Sequence, residues 1–198
     1  MNDDEARLRA AMTRPAGPSS DYDLNPEIRL PEGRKLRPAA VLVPVWLRPD
    51  GARVILTKRS SQLQHHPGQV ALPGGKIDPT DADAEAAALR ETREEVGLPE
   101  DRVTVLGRLE PHETVTGFSI TPVLGLLHGD FSPLPEAGEV DEVFSVPLAH
   151  LAQTAHYVIE RRRWRGQWRR YYTVPWGPYY IWGATARILH GLAVRMGR

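Results

Sequence analysis

Cysteine is absent from the 198 residues, which excludes disulfide frameworks, thiolate zinc sites and cysteine nucleophiles. Net charge is absent as well, because 25 basic residues balance 25 acidic ones, so no overall field attracts nucleic acid or a membrane surface. No apolar run approaches the ~18 residues of a membrane span. The first five residues, Met1-Asn2-Asp3-Asp4-Glu5, are acidic where a secretory signal is basic. Together these absences predict a cytoplasmic protein.

The length and composition predict one main globular domain. Two independent cores would each be small in a chain of 198 residues that is 41% hydrophobic. Residues 3–14 begin with acidic residues and continue with apolar ones, which favours a short N-terminal helix. Residues 15–37 are rich in proline, glycine and serine and predict an irregular lead-in. The predicted division is therefore 1–37 for the helix and lead-in and 38–198 for the domain.

Alternating strand and helix patterns set the predicted fold class. Apolar runs at 39–47 and 52–57 flank Arg48-Pro49-Asp50-Gly51, whose residues supply turn dihedrals, so a hairpin is predicted. Pro44 within the first run favours an edge strand or a bulge. Further strands are predicted at 103–109, 118–127, 140–146, 158–164 and 168–174, and a closing helix at 183–196. This order predicts an α/β fold, an α/β/α sandwich around a mixed sheet.

A central helix follows the diglycine turn Gly74-Gly75. Asp83 can cap its first free backbone donors, and Gly97 can end it in the left-handed conformation that glycine tolerates. Helical spacing predicts that its buried stripe consists of Ala88, Leu89, Thr92 and Val96.

Three carboxylates share one face of that helix. Glu91, Glu94 and Glu95 fall within roughly 100° of arc, and like charges at these spacings destabilise a helix by roughly 0.2–0.5 kcal/mol per pair. A cation relieves such repulsion, and oxygen ligands suit Mg²⁺ or Mn²⁺. Glu91 and Glu95 lie one turn apart and are the predicted ligands, with Glu94 as a third ligand or helper. The alternative is a solvated acidic face with no ligand.

The segment from Gly74 to Leu98 resembles the Nudix box, Gly-x5-Glu-x7-Arg-Glu-(apolar)-x-Glu-Glu-x-Gly-(apolar). Three features depart from that box. The interval between Lys76 and Arg90 is one residue longer, the upstream Glu is missing with Asp81 or Asp83 nearby, and Thr92 replaces an apolar residue. The residues in register are Arg90, Glu91, Glu94, Glu95, Gly97 and Leu98.

The resemblance implies an α/β/α sandwich and a Mg²⁺- or Mn²⁺-dependent diphosphatase. It implies that the carbonyl of Gly75 joins the metal ligands and that Arg90 orients the carboxylates through charge-assisted hydrogen bonds. Relatives with this box take the water's proton either with a box glutamate or with a later one. The later candidates here are Glu139 and Glu142. An equal alternative is that both are surface acids at the start of a strand and have no part in catalysis.

A second resemblance narrows the substrate. Residues 56–60 (Leu-Thr-Lys-Arg-Ser) and 68–75 are similar to the marker that precedes the box in coenzyme A diphosphatases, although Gln64 and Leu72 depart from it. Residues 182–185 (Trp-Gly-Ala-Thr) resemble that subfamily's C-terminal segment. The resemblance implies hydrolysis of coenzyme A or its thioesters to 3′,5′-ADP and 4′-phosphopantetheine, with substrate contacts from Arg59, Gly74 and Gly75.

Two alternatives to coenzyme A remain open. One is a Nudix hydrolase of another nucleoside diphosphate derivative, such as ADP-ribose or a dinucleoside polyphosphate. The other is a Nudix-fold module that binds a nucleotide or RNA without turnover, against which the intact carboxylate cluster speaks. The partner predicted is a small-molecule nucleotide, with no nucleic acid and no membrane, and a homodimer is an open alternative.

Arginines and histidines outside the box have weaker assignments. Residues 161–165 and 169–170 place six arginines among aromatics, which suits the 3′-phosphate and adenine of coenzyme A or a single-stranded nucleic acid. A solvated face of a hairpin is the alternative. His65, His66 and His112 lack the spacing of a metal site, so substrate positioning or loop structure is predicted for them.

Overall fold

The computed structural model describes residues 3–28, 30, 33–164 and 166–197. Within these ranges the helices are α1 (Asp3–Met12), α2 (Ala84–Val96), α3 (Leu148–Leu151) and α4 (Gly183–Met196). The strands are β1 (Ser19–Ser20), β2 (Arg37–Trp46), β3 (Arg53–Arg59), β4 (Val70–Ala71), β5 (Gly74–Lys76), β6 (Val103–Arg108), β7 (His112–Glu113), β8 (Phe118–Leu127), β9 (Val140–Pro147), β10 (Val158–Trp164) and β11 (Gln167–Thr173).

A mixed sheet forms the centre of the molecule. In the described chain its strand order is β1-β7-β8-β2-β3-β4, with β5 beside β2, β6 beside β8 and β9 beside β3. The long pair β2–β8 is parallel, and β2–β3 is the predicted antiparallel hairpin. Strands β10 and β11 form a separate two-stranded hairpin.

Alternation along β2 divides the core between the two faces of the sheet. Leu42 packs with the apolar side of α2, whereas Val43 packs with α1 and α4. Successive side chains of a strand point to opposite faces, so each face buries its own cluster. Helices on both faces of a mixed sheet confirm the predicted α/β/α sandwich. No helix in the described ranges is both long and apolar enough to cross a membrane.

The edge position predicted from Pro44 is wrong, because β2 lies between β8 and β3 in the interior of the sheet. On its β3 side, β2 pairs with β5 at Val41 and with β3 only from Val45 onward. The amide of Leu42 donates to the carbonyl of Pro73 on that side, and alternation turns the nitrogen of Pro44 the same way. The proline therefore lies where no ladder partner needs its missing N–H.

The lead-in is anchored to the domain. Strand β1 pairs in parallel with β7. The side chain of Asn25 is buried, donates to the carbonyl of Arg170 at 3.0 Å and accepts from the Arg170 amide at 2.8 Å. Helix α1 buries Leu8 and Ala11 in the α4-side core. The division at residue 37 stays a prediction.

Candidate active site

The diglycine turn is pressed between β2 and α2. Strand β5 pairs with β2, and Gly74 has φ 146°. A Cβ on Gly74 would overlap backbone atoms of Ala40 and Val41, and a Cβ on Gly75 would overlap the carboxylate of Glu91. Gly74 therefore requires glycine, whereas at Gly75 a Cβ would displace only the flexible end of Glu91, and the close approach places the Gly75 backbone against an acidic side chain.

The carboxylate of Glu95 is buried, with 6% of the residue exposed. The Gly74 amide donates to its Oε2 at 3.0 Å. Burial raises the pKa of Glu95 to about 7, opposed by the Gly74 hydrogen bond and the charge of Arg59 and reinforced by Glu91 and Glu139. Desolvation penalises the ionised form of an acid, so a nearby cation would favour ionisation.

The carboxylate of Glu91 is half-buried one helical turn before Glu95. Burial raises the pKa of Glu91, while a hydrogen bond from Arg90 Nη1 to Oε1 at 3.0 Å lowers it. Two partly desolvated carboxylates beside the Gly75 backbone form an oxygen-rich site. No group of three or more acidic or histidine side chains in the described part of the chain could hold a metal ion by itself. Mg²⁺ commonly binds through one or two carboxylates and completes its shell with waters and substrate phosphates, so this set fits such an ion.

Arg90 organises the outer side of the site. Its Nε and Nη2 donate to the two carboxylate oxygens of Asp81 at 2.8 and 2.9 Å. Its Nη1 donates to Glu91 and to Glu94 Oε2, the latter at 3.1 Å. Glu94 itself is exposed and also lies 3.8 Å from Arg93. Between the two upstream acids, Asp81 is thus the partner of Arg90, whereas Asp83 caps α2 and pairs with Arg108.

The helix that carries these residues follows its local sequence. Asp83 Oδ1 accepts from the amides of Glu85 and Ala86, and Gly97 has φ 72° in the left-handed region. Both predicted caps are confirmed. The buried stripe differs in part, because Leu89 is only half-buried. Two further alanines, Ala84 and Ala87, complete it.

The loop of residues 128–139 brings Glu139 near the carboxylates. Two amides of this loop, from Leu134 and Glu136, donate to the carbonyls of Val96 and Glu95 at 2.9 Å each. The carboxyl of Glu139 is exposed, and its charge contributes to the raised pKa of Glu95. Glu142, the other candidate base, instead accepts a hydrogen bond from the hydroxyl of Tyr179. The identity of the base stays a prediction.

A cavity of about 390 Å³ opens from the diglycine turn between the sheet and α4. Arg59 lines it, and the Nε of Arg59 is buried without a hydrogen-bond partner among the described residues. Phe118 and residues 114–116 also line it, although no motif in the sequence marked them. They lie far from the box in sequence, and only the pairing of β8 with β2 brings them to the cavity.

The arginine hairpin divides into two groups. Arg162, Arg169 and Arg170 line the cavity, and the guanidinium of Arg162 lies 4.0 Å from the centroid of the Trp182 ring. Arg161 is exposed and lies over the Trp168 ring at 5.0 Å. Arg163 is also exposed, and Arg165 lies outside the described residues. Only part of the predicted set therefore reaches the site.

The histidines have different positions. His65 and His66 line the cavity, and burial lowers the pKa of His66. His112 is fully buried, with Nδ1 2.9 Å from Ser19 Oγ and Nε2 3.1 Å from Asp21 Oδ1. His112 thus joins β7 to the lead-in.

Comparisons of sequence and structure with known proteins all find Nudix proteins. Residues 36–167 match the family model described as NUDIX domain. The Nudix hydrolase NudL of Cronobacter sakazakii is 44% identical over 161 residues, covering 81% of this chain and 83% of that protein. NudL of Escherichia coli strain K12 is 43% identical over the same coverage. A Nudix hydrolase from M. smegmatis, RenU, superposes with a TM-score of 0.50 at 27% identity, over 60% of this chain and 74% of RenU.

Proposed function

This chain belongs to the Nudix family and is a hydrolase of phosphoric anhydrides, and from that premise we propose that it cleaves the diphosphate of coenzyme A or its thioesters. The products would be 3′,5′-ADP and 4′-phosphopantetheine or its acyl form. Nudix enzymes generally use divalent metal ions, and Mg²⁺ or Mn²⁺ is the proposed cofactor.

The observation that carries the proposal is that one cavity joins the diglycine turn to the arginine hairpin. Gly75, Arg162, Arg169 and Arg170 all line it. Coenzyme A is a diphosphate with a further phosphate on its ribose, so it needs cationic groups at a distance from the reacting bond. Arginine forks onto phosphate and stacks on a ring, which suits both the 3′-phosphate and adenine.

Further donors support an anionic ligand in the same cavity. The buried Nε of Arg59 lacks a hydrogen-bond partner in the described chain, and a substrate phosphate would satisfy it. The first residues of α4, Gly183 to Thr185, line the cavity, and the N-cap residue Trp182 makes no side-chain capping bond there. The first amides of a helix have no partner within the helix, and they favour a phosphate group.

In the proposed reaction, Glu91, Glu95 and the Gly75 carbonyl would hold the metal ion. When bound, the ion neutralises phosphoryl oxygens and lowers the pKa of a coordinated water. Arg90 holds Glu91 in position through its hydrogen bond to Oε1. Glu139, at the end of the loop of residues 128–139, would accept the proton of the attacking water.

Kinetics on a matched substrate panel test the proposal. Purified protein with Mg²⁺ or Mn²⁺ would be assayed on coenzyme A, acetyl-coenzyme A, dephospho-coenzyme A, ADP-ribose, NADH and diadenosine polyphosphates. We expect the highest kcat/KM on coenzyme A or its thioester, with 3′,5′-ADP as the nucleotide product. A higher kcat/KM on ADP-ribose or a dinucleoside polyphosphate would assign the other nucleoside diphosphate class. A homodimer stays a prediction, which sedimentation velocity of the same preparation would check.

A further inference from the structure

A second cavity, of about 630 Å³, adjoins the first at Arg162 of the arginine hairpin. Its walls combine aromatic rings and prolines with polar and charged side chains, among them Lys58, Glu142 and Arg162. The rings of Tyr179, Tyr180 and Trp182 and the prolines Pro67 and Pro178 line it. Sequence patterns gave no role to the tyrosines, and the metal site does not use them.

The two cavities share a wall. His66, Gln69, Arg162 and Trp182 line both of them. The shared wall is built around the Arg162 guanidinium, which lies 4.0 Å from the Trp182 ring centroid. A ligand that spans this wall therefore contacts both cavities at once.

The two tyrosine rings of the second cavity are held in place by hydrogen bonds of their hydroxyl groups. Tyr180 donates from its hydroxyl to Glu160 Oε2 at 2.6 Å, and the Tyr171 hydroxyl lies 3.1 Å away from it. Tyr179 stacks on Phe144 with centroids 3.6 Å apart, and its hydroxyl donates to Glu142. Because these hydroxyls already have partners, the ring surfaces are what the cavity offers to a ligand.

The chemistry of the two cavities differs. Arg169 and Arg170 line only the first, so the additional phosphate of a nucleotide is best neutralised there. The second cavity combines ring surfaces with Gln69 and with Lys58 and Glu142, whose opposite charges balance, and this set suits an uncharged chain that carries amide and hydroxyl groups.

We propose that the second cavity binds the pantetheine arm of the substrate, while the first binds the 3′-phosphoadenosine half. The assignment rests on the proposed function, because it names the half of coenzyme A that lies beyond the diphosphate. Tyr180 is its specificity-determining residue, since its ring is a wall of the second cavity and is absent from the lining of the first.

Binding of the two separate products tests this assignment without turnover. Titration calorimetry would use the full chain with Mg²⁺ and either 4′-phosphopantetheine or 3′,5′-ADP. Tyr180→Ala should weaken 4′-phosphopantetheine on the order of five- to tenfold, as loss of one ring contact commonly does. Its affinity for 3′,5′-ADP should stay within about twofold, which also shows that the variant is folded. Tyr180→Phe keeps the ring and should bind both products as the native chain does.

Trp168→Ala is the matched control, because this exposed hairpin ring lines neither cavity. It should change neither affinity. The assignment is overturned if 4′-phosphopantetheine does not bind, if Tyr180→Ala leaves its affinity unchanged, or if that variant weakens both products equally. The proposed function fails separately, when coenzyme A is a poor substrate in the kinetic panel even though 4′-phosphopantetheine binds in a Tyr180-dependent way.

Discussion

Asp81 and Arg90 form a two-pronged ion pair in which Nε donates to Oδ1 at 2.8 Å and Nη2 donates to Oδ2 at 2.9 Å. Hydrogen bonding from Arg90 lowers the pKa of Asp81 to about 2. The same guanidinium also holds Glu91 and Glu94. Asp81 is therefore connected to the carboxylate site through Arg90.

Asp81→Asn should lower kcat/KM by about tenfold, because the neutral amide loses the charge-assisted pair and frees Arg90 to shift. Steady-state kinetics at saturating Mg²⁺ would measure the change. Asp78→Asn is the matched control, since Asp78 is exposed and lies 3.8 Å from the same guanidinium. Equal losses in both variants would show a general charge effect in place of a specific pair.

Glu91→Gln and Glu95→Gln should each reduce kcat by ~10²–10³ while the fold is kept, since an amide lacks the charge that holds the cation. Circular dichroism would verify the fold, and a Mg²⁺ titration of the rate would show weakened dependence. Glu85→Gln, in the first turn of the same helix, should retain native kcat because Glu85 pairs with Arg108 outside the site. Native turnover in both site variants would rule out the metal assignment.

Gly75→Ala should impair turnover, whereas Gly74→Ala should impair the stability of the fold. A Cβ at Gly75 meets the far end of the flexible Glu91 side chain, so folding should change little while turnover falls. A Cβ at Gly74 meets backbone atoms at φ 146°, so its free energy of unfolding should fall by roughly 1–3 kcal/mol or more. Urea unfolding and kinetics on both variants would separate the two effects. A Gly75→Ala protein with native kcat would contradict the close approach to Glu91.

Stability of the metal-free protein should fall as pH rises through the range set by Glu95. The pKa of this acid is raised from 4.5 to about 7 in the folded state, so between these values the native state binds more protons than the unfolded one. The free energy of unfolding should therefore decrease from pH 5 toward pH 7, by roughly 3 kcal/mol at most. Urea unfolding in EDTA would measure this slope.

The matched variant for that experiment is Glu95→Gln, which cannot ionise. Subtracting its slope from the native slope removes the contributions of other titrating groups. An unchanged slope in the variant would mean that Glu95 titrates near its ordinary pKa.

Arg162→Ala and Arg169→Ala should reduce the preference for coenzyme A over dephospho-coenzyme A, because both arginines line the cavity. Loss of one charge-assisted contact costs about 1.5–3 kcal/mol, or roughly 10- to 150-fold in kcat/KM on coenzyme A alone. Arg163→Ala is the control, since that side chain is exposed and outside the cavity lining. If both cavity variants keep the preference for coenzyme A over dephospho-coenzyme A, the hairpin arginines form a solvated face and do not recognise the 3′-phosphate.

The sequence determined the features whose causes are local. Helix α2 begins after Asp83 and ends before Gly97 as predicted, because a capping carboxylate and a left-handed glycine act within a few residues. Strands β8 and β10 and helix α4 also have their predicted bounds. The spacing of the box residues indicated the Nudix family from sequence alone, and the family model, which matches residues 36–167, confirms it.

Tertiary structure decided what depends on segments far apart in the chain. Short strands such as β5 exist only through their partner β2. Pro44 is tolerated in the interior because β2 lacks a ladder partner at that point on its β3 side, while it pairs with β8 on the other side. The pKa values of the site carboxylates also depend on tertiary contacts. Helical spacing places Glu91 and Glu95 one turn apart, but the packing of Gly74 against α2 buries Glu95 and raises its pKa. Burial and desolvation arise from the atoms that surround a group, and those atoms come from strands, loops and helices that sequence spacing alone does not bring together.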